Sequence, residues 1–277
     1  MKAYLDCYPC FLSQTLKTAR LLTSDEKKIK NILDKVAAEL PQINFAATPA
    51  EIGREVYRII ARESGIGDPY RSLKKIWTEK ALHLYPYLKK LIRAAADPLF
   101  LAVRVAIVGN VIDFGVNREF DLEKEVEQIL HQPLMINHYQ RFRDTLEKTS
   151  RVLYIADNAG ETVFDRLLIE EMAKPVIYVV REKPVINDAV RQDAEEAGLN
   201  EVAEIISSGV DAPGTVLSLC SEEFRKMFFS AEMIISKGQG NYEGLSGEKG
   251  PLFFLLKAKC EVIARELNVP LGSLLLI

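Results

Sequence analysis

The chain has 277 residues, 48% of them hydrophobic and 27% charged, the make-up of an ordinary globular protein with room for one large domain or two modest ones at roughly 100–200 residues each. Its net charge of −3 leaves no electrostatic footprint for a nucleic acid. The stretch 99–116 comes closest to a membrane span but is interrupted by Arg104, Asn110 and Asp113, and the opening Met1-Lys-Ala-Tyr-Leu-Asp-Cys7 lacks the apolar core of a secretory signal, so a cytoplasmic protein with no membrane partner is expected.

Cys7-Tyr8-Pro9-Cys10 has the two-residue gap of a redox pair or half a zinc site. No second such pair exists, Cys220 and Cys260 are isolated, and His83, His131 and His138 form no ligand pair. The plainer reading is two reduced thiols at a helix start. Ile29, Ile32, Leu33 and Val36 then recur at helical spacing. Thr48-Pro49-Ala50-Glu51 has the form of a capping box with proline at the first helical position, which starts a helix running towards Glu63 and ended by Gly65 and Gly67. A further helix is expected over 69–96, kinked or broken at Pro86. Residues 99–114 read as a buried helix, and 122–130 and 137–148 as amphipathic ones. Inside the buried stretch, Gly109-Asn110-Val-Ile-Asp113 carries two polar side chains that must be paired, either by neighbouring backbone or by facing a site from the helical side. The aromatic residues Tyr8, Trp77, Tyr85, Tyr87 and Tyr139 read as packing, with one of them a candidate for a pocket rim.

Near Arg151 the period changes. Short apolar runs at 152–156, 175–180, 202–206, 231–236 and 272–277, with another at 252–257, are mostly separated by helical lengths, the alternation of a parallel sheet. No Gly/Ser-rich or Pro-rich linker marks the change, so a helical part over 1–150 packed on an α/β domain over 151–277 is expected.

Polar clusters follow three of these runs. In an open α/β sheet such positions converge at the carboxyl ends of the strands. Asp157-Asn158-Ala159-Gly160-Glu161 offers a carboxylate and an amide oxygen, hard ligands for Mg²⁺ or Mn²⁺, with a glycine that lets a phosphate approach backbone N–H groups; its plain alternative is a helix N-cap. Asp188, after Asn187, either caps a helix or completes an Asp/Asn/Asp oxygen set with open positions for water and substrate. Lys237-Gly238-Gln239-Gly240-Asn241 places a lysine before a glycine turn, where it holds a phosphate as a point charge or is merely solvated. This is neither a Walker loop nor a dinucleotide fingerprint, and no Gly-x-Ser-x-Gly elbow exists for a Ser/His hydrolase. Glu161 or Glu243 would orient a water.

Taken in order, Cys7-x-x-Cys10, Gly109-Asn-x-x-Asp113, Asp157-Asn-x-Gly160-Glu161, Asn187-Asp188 and Lys237-Gly-Gln-Gly-Asn-Tyr-Glu243 resemble the metal-dependent damage-control phosphatase family, formerly a domain of unknown function, in its stand-alone archaeal and bacterial branch. The resemblance covers essentially the whole chain. It implies a helical N-terminal part on a Rossmann-like α/β/α three-layer domain with a mostly parallel sheet. It also implies hydrolysis of phosphate monoesters of small damaged or surplus metabolites with Mn²⁺, Ni²⁺, Co²⁺ or Mg²⁺. By the same resemblance the metal ligands fall on Asp157, Asn158 and Asp188, the phosphate contact on Lys237, and further pocket roles on Asn110, Asp113, Glu161, Gly238, Gly240 and Asn241. Two alternatives stay open: a carboxyl methyltransferase using S-adenosylmethionine, which the architecture permits, and a non-catalytic metal-binding regulator in which Cys7 and Cys10 act.

Overall fold

Strand residues alternate between two apolar layers, which fixes the architecture. In the strand Val152–Ile155 (β2), Val152 and Tyr154 enter one cluster while Leu153 and Ile155 enter the other; Val176–Val180 (β3) divides in the same way. Both faces of the sheet are therefore covered, as the run of β-branched and aromatic residues requires. The structure, a computed structural model, describes residues 1–44, 46–109 and 122–277.

The described elements open with the helices Cys7–Leu22 (α1), Glu26–Glu39 (α2), Pro49–Ser64 (α3), Arg71–Ala94 (α4), Pro98–Gly109 (α5) and Leu122–Leu130 (α6). A strand at Leu134–Asn137 (β1) and a helix at Tyr139–Lys148 (α7) precede β2. After β2 come Thr162–Met172 (α8), β3, Arg191–Glu196 (α9), Glu204–Ser207 (β4), Glu222–Ser230 (α10) and Ile234–Lys237 (β5), and then Gly238–Leu245 (α11), Leu252–Lys257 (β6), Glu261–Glu266 (α12) and Leu274–Leu276 (β7). The sheet order is β1-β7-β6-β5-β2-β3-β4, parallel except where β6 meets β7. Helices α4, α5, α7 and α8 pack on one face, and α10, α11 and α12 on the other. A third cluster, built from Phe11, Ile29, Ile32, Val36, Ile52, Val56 and Ile59, holds α1, α2 and α3 together. The mixed α/β fold with a mostly parallel sheet is as expected. Among the described residues no helix is long and apolar enough to cross a membrane.

The Thr48 capping box is present and closes both ways, and Gly65 ends α3 in the left-handed region at φ 71°. Three expectations need correction. Residues 1–150 are not all helical, because β1 pairs with β7 and the sheet thus begins ahead of the division expected near residue 150. β1 has only four residues at the sheet edge, with Met135 half exposed, too short and too mixed to register as a strand. Pro86 does not break α4, which is assigned as one helix from Arg71 to Ala94. Lys237 is the last residue of β5, and Gly238–Asn241 after it is not a glycine turn but the start of α11.

The helical layer is tied to the sheet by charge. Arg54 and Arg58 on α3 both bond Asp211, and the buried Lys74 of α4 reaches Asp193 at 2.9 Å and Asp68 at 3.1 Å. These contacts hold α3 and α4 against the segments that follow β4 and β3.

Candidate active site

Chain order reverses between β2 and β5: β3 lies on one side of β2 and β5, much later in sequence, on the other. Segments leaving the carboxyl ends of these strands diverge and leave a crevice. Asp157 and Asn158 leave β2 there. The loop after β3 folds back against them, because Asn158 and Asp188 form an isolated antiparallel bridge. The Ala159 N–H donates to the Asn187 carbonyl at 2.9 Å, and the Ala189 N–H to the Asp157 carbonyl at 2.8 Å. Two sequence-distant clusters are thus sewn into one wall. Ile186, at the tip of that loop, stands at φ 45°, a left-handed conformation that is an outlier for a β-branched residue; such strain persists only where the surroundings enforce it.

The wall is acidic and largely buried. Asp157 is 8% exposed, Asp188 4% and Glu161 3%. The Asn158 amide donates to Asp157 Oδ2 at 3.0 Å and to Glu161 Oε1. Burial pushes the Asp157 carboxyl well above the usual carboxylate range, and the Glu161 and Asp188 charges push it further; Lys259 and Arg181 oppose them. Burial also raises Asp188, against the pull of the Arg181 guanidinium. Crowded buried carboxylates of this kind want a cation. Two carboxylates and an amide oxygen fit a hard divalent ion. Among the described residues no group of three or more His, Cys, Asp or Glu side chains is arranged to hold a metal, and the Asp157/Asn158/Asp188 set differs from such a group in taking its third oxygen from an amide.

Lys237 is placed differently from the expectation. Its ammonium is fully buried and bonds Asp165 Oδ1 at 2.6 Å and Glu161 Oε2 at 3.1 Å. Although burial works against the charge, Asp165 and then Glu161 hold it above its ordinary value. Asp165 in turn accepts the Tyr154 and Tyr178 hydroxyls, each at 2.7 Å. Asn241 is likewise internal: its Nδ2 donates to the Ala156 and Lys237 carbonyls, and its Oδ1 accepts from Arg181 and Thr215. Arg181 completes this frame by donating from Nε to Asp188 Oδ2 at 2.7 Å and from Nη1 to Thr215. Lys237 and Asn241 therefore sit behind the wall of the crevice and do not line it. Asn110 and Asp113 lie outside the described residues.

Gly238 has φ +76°, and a Cβ there would stand 1.8 Å from Asp157 Oδ2. Only glycine leaves room for the carboxylate. Gly238→Ala is therefore expected to displace Asp157 and remove activity; an alanine variant with wild-type turnover would contradict this packing.

The crevice opens into a cleft of about 560 Å³ in which Asp157, Asn158 and Asp188 face Cys10, Gln14, Tyr57 and Tyr70 of the helical layer, with Gly240, Glu243 and Lys259 alongside. The aromatic residues lining the cleft are thus Phe11, Tyr57 and Tyr70, none of them singled out in the sequence. Burial pushes the Glu243 carboxyl up to about 7.

A family model described as the damage-control phosphatase ARMT1-like domain matches residues 3–275. The chain belongs to this family. Among its relatives, a damage-control phosphatase of Pyrococcus horikoshii is 37% identical over 99% of this chain and 97% of its own length. A damage-control phosphatase of Archaeoglobus fulgidus is 34% identical over 97% of this chain and 96% of its own. The crystal structure of a DUF89 family protein from Pyrococcus horikoshii superposes with a TM-score of 0.94 at 36% identity, covering 100% of this chain and 99% of that one. Membership of the damage-control phosphatase family favours a phosphatase over the methyltransferase and the regulator.

Sequence reasoning missed Asp165, Arg181, Thr215 and Lys259. Asp165 had a signal, a carboxylate on the apolar face of Val163-Phe-Asp-Arg-Leu-Leu168, where a buried charge needs a partner. Lys259 also had one, as the first cation beyond the end of β6, next to β5 in the sheet.

Proposed function

We propose that this protein is a metal-dependent phosphatase that hydrolyses phosphate monoesters of small metabolites at the crevice beside β2 and β5. The observation that carries the reading is the convergence of Asp157, Asn158 and Asp188 on one buried, acidic wall of an open cleft, in a chain of the damage-control phosphatase family. These three residues would hold one divalent cation, Mn²⁺, Ni²⁺, Co²⁺ or Mg²⁺, which when bound polarises a phosphoryl oxygen and lowers the pKa of a water.

The chain's own groups position that site. Arg181 holds Asp188 through its carboxylate, and Glu161 holds the Asn158 amide N–H, so that the amide oxygen is the atom left to face a cation. Lys237 fixes Glu161 from behind. With both Glu161 oxygens engaged, Glu161 acts as a positioning residue. Glu243 is the cleft carboxyl whose raised value lets it accept and return a proton near neutral pH. Gln239 and Gly240, in the first turn of α11, line the cleft where helix N–H groups favour an anion.

The cation assigned to the phosphate shifts from Lys237 to Lys259, which is exposed, lines the cleft and lies near enough to Asp157 to lower its carboxyl. Lys259→Ala is expected to raise KM for a phosphate ester about tenfold, the effect of one charge-assisted contact, while metal affinity stays within threefold of wild type. Unchanged KM would remove Lys259 from the phosphate subsite. The proposal as a whole is tested by phosphate release from a panel of small phosphate esters, using chelator-stripped protein with each metal restored in turn. Release that is equal with and without metal, or S-adenosylmethionine binding without any hydrolysis, would overturn it.

A further inference from the structure

The thiols at the start of α1 have no part in the reading above, yet they stand in the same cleft. Cys7 and Cys10 occupy the first turn of α1, and both line the cavity that contains Asp157 and Asp188. Helix geometry sets Cα atoms three residues apart at about 5 Å, inside the span that a disulfide bridges. Cys10 is exposed and Cys7 half-buried. Cys10 Sγ accepts the Gln14 side-chain amide at 3.2 Å, and Gln14 Oε1 in turn accepts the hydroxyl of Tyr57, itself a cleft residue that spans α3 to α1. Covalent change at Cys10 is thereby linked to the cleft rim. Cys260 also lines the cleft, near enough to act electrostatically on both thiols, and takes the Gln239 amide at 3.4 Å, whereas Cys220 is buried in the core.

We propose that Cys7 and Cys10 form a thiol–disulfide exchange site in the cleft wall, taking a low-molecular-weight disulfide as co-substrate. Cys10 Sγ, as thiolate, attacks one sulfur of R–S–S–R; that S–S bond breaks and one thiolate leaves, taking up the proton that Cys10 gave up. Cys7 Sγ then attacks Cys10 Sγ, its proton passes to the second departing thiolate, and the Cys7–Cys10 bond forms. The protein loses two electrons and two protons, and the small disulfide gains them as two thiols. Burial pushes both thiols up, which keeps the exchange slow at neutral pH. Closure withdraws Cys10 Sγ from Gln14 and releases the Gln14–Tyr57 contact, so the cleft rim loosens. Its effect on turnover rests on the phosphatase reading, whereas bond formation does not.

The test treats the intact, metal-loaded protein with oxidised glutathione, then alkylates it and maps peptides by mass. The expected result is loss of two hydrogens as a Cys7–Cys10 link, with Cys220 reacting only after denaturation, and full reversal by dithiothreitol. The Cys7→Ser protein is expected to stop at a glutathione adduct on Cys10. Phosphate release by the oxidised wild type should fall about tenfold, the cost of a small misplacement at the cleft, and recover on reduction. No thiol loss after prolonged exposure would overturn the exchange site. A Cys10–Cys260 link in place of Cys7–Cys10 would overturn the pairing. Formation of the Cys7–Cys10 link with unaltered phosphate release would overturn its action on the cleft; a protein with no phosphatase activity in either state would fail the functional reading and leave the mass result standing on its own.

Discussion

An Asp157→Asn protein is expected to lose phosphate release by about a thousandfold or more while its metal-free form becomes more stable than wild type. The kinetic loss follows because Lewis-acid assistance is worth several kcal/mol and each ~1.4 kcal/mol is tenfold in rate. The gain in stability follows from the raised carboxyl. A carboxyl whose folded value lies above its unfolded one binds protons more tightly in the folded state, so folding stability falls as pH rises from the unfolded value through the folded one. At neutral pH the metal-free wild type carries that loss, set by burial and by the Glu161 and Asp188 charges; the amide does not. Thermal unfolding at pH 5 and pH 8 should show the wild type weakening with pH by more than the variant, and added Mn²⁺ should raise the melting temperature of the wild type alone. A variant less stable than wild type at pH 8 would show that Asp157 is part of the scaffold and not a cation ligand.

The second large effect is expected at Lys237. Lys237→Met removes the ammonium that offsets Glu161 and Asp165, both under 4% exposed. Taking one partner from a buried ionic set leaves charge without compensation and costs about 3–5 kcal/mol. Turnover should fall as well, because Glu161 then no longer holds the Asn158 amide in place. Urea unfolding measures the first effect and steady-state kinetics the second. A variant within about 1 kcal/mol of wild type whose only defect is a raised KM would return Lys237 to the phosphate subsite and displace Lys259 from it.

The convergence of the strand-end segments on this candidate site is legible in the sequence, for a physical reason. The ends of parallel strands are the places where a chain must leave the sheet, so Asp157, Asp188 and the segment after Lys237, here the start of α11, converge once the strands are recognised. Which atoms face the cleft was not legible. Lys237 and Asn241 look like surface turn residues in sequence, but Lys237 still belongs to β5 and points into the layer between sheet and α8, where Asp165 waits on an otherwise apolar helix face. Arg181 is hidden in the same way. It follows β3 at a position that reads as solvated, and it is 2% exposed with three side-chain partners. Long-range polar partners leave no periodic trace, whereas caps and apolar stripes do; hence the Thr48 box and most strands were read correctly and the frame behind the site was not. β1 was lost because four residues at an edge carry too little burial to announce a strand.

The central claim is that Asp157, Asn158 and Asp188 hold the cation of a phosphatase site. Anomalous diffraction from crystals soaked in Mn²⁺ tests it most directly, since the ion's position is read independently of any substrate. The account predicts one strong peak in the crevice beside β2 and β5, at about 2.0–2.3 Å from oxygens of all three side chains. A peak at another place, or none in crystals of protein that Mn²⁺ activates, would contradict it.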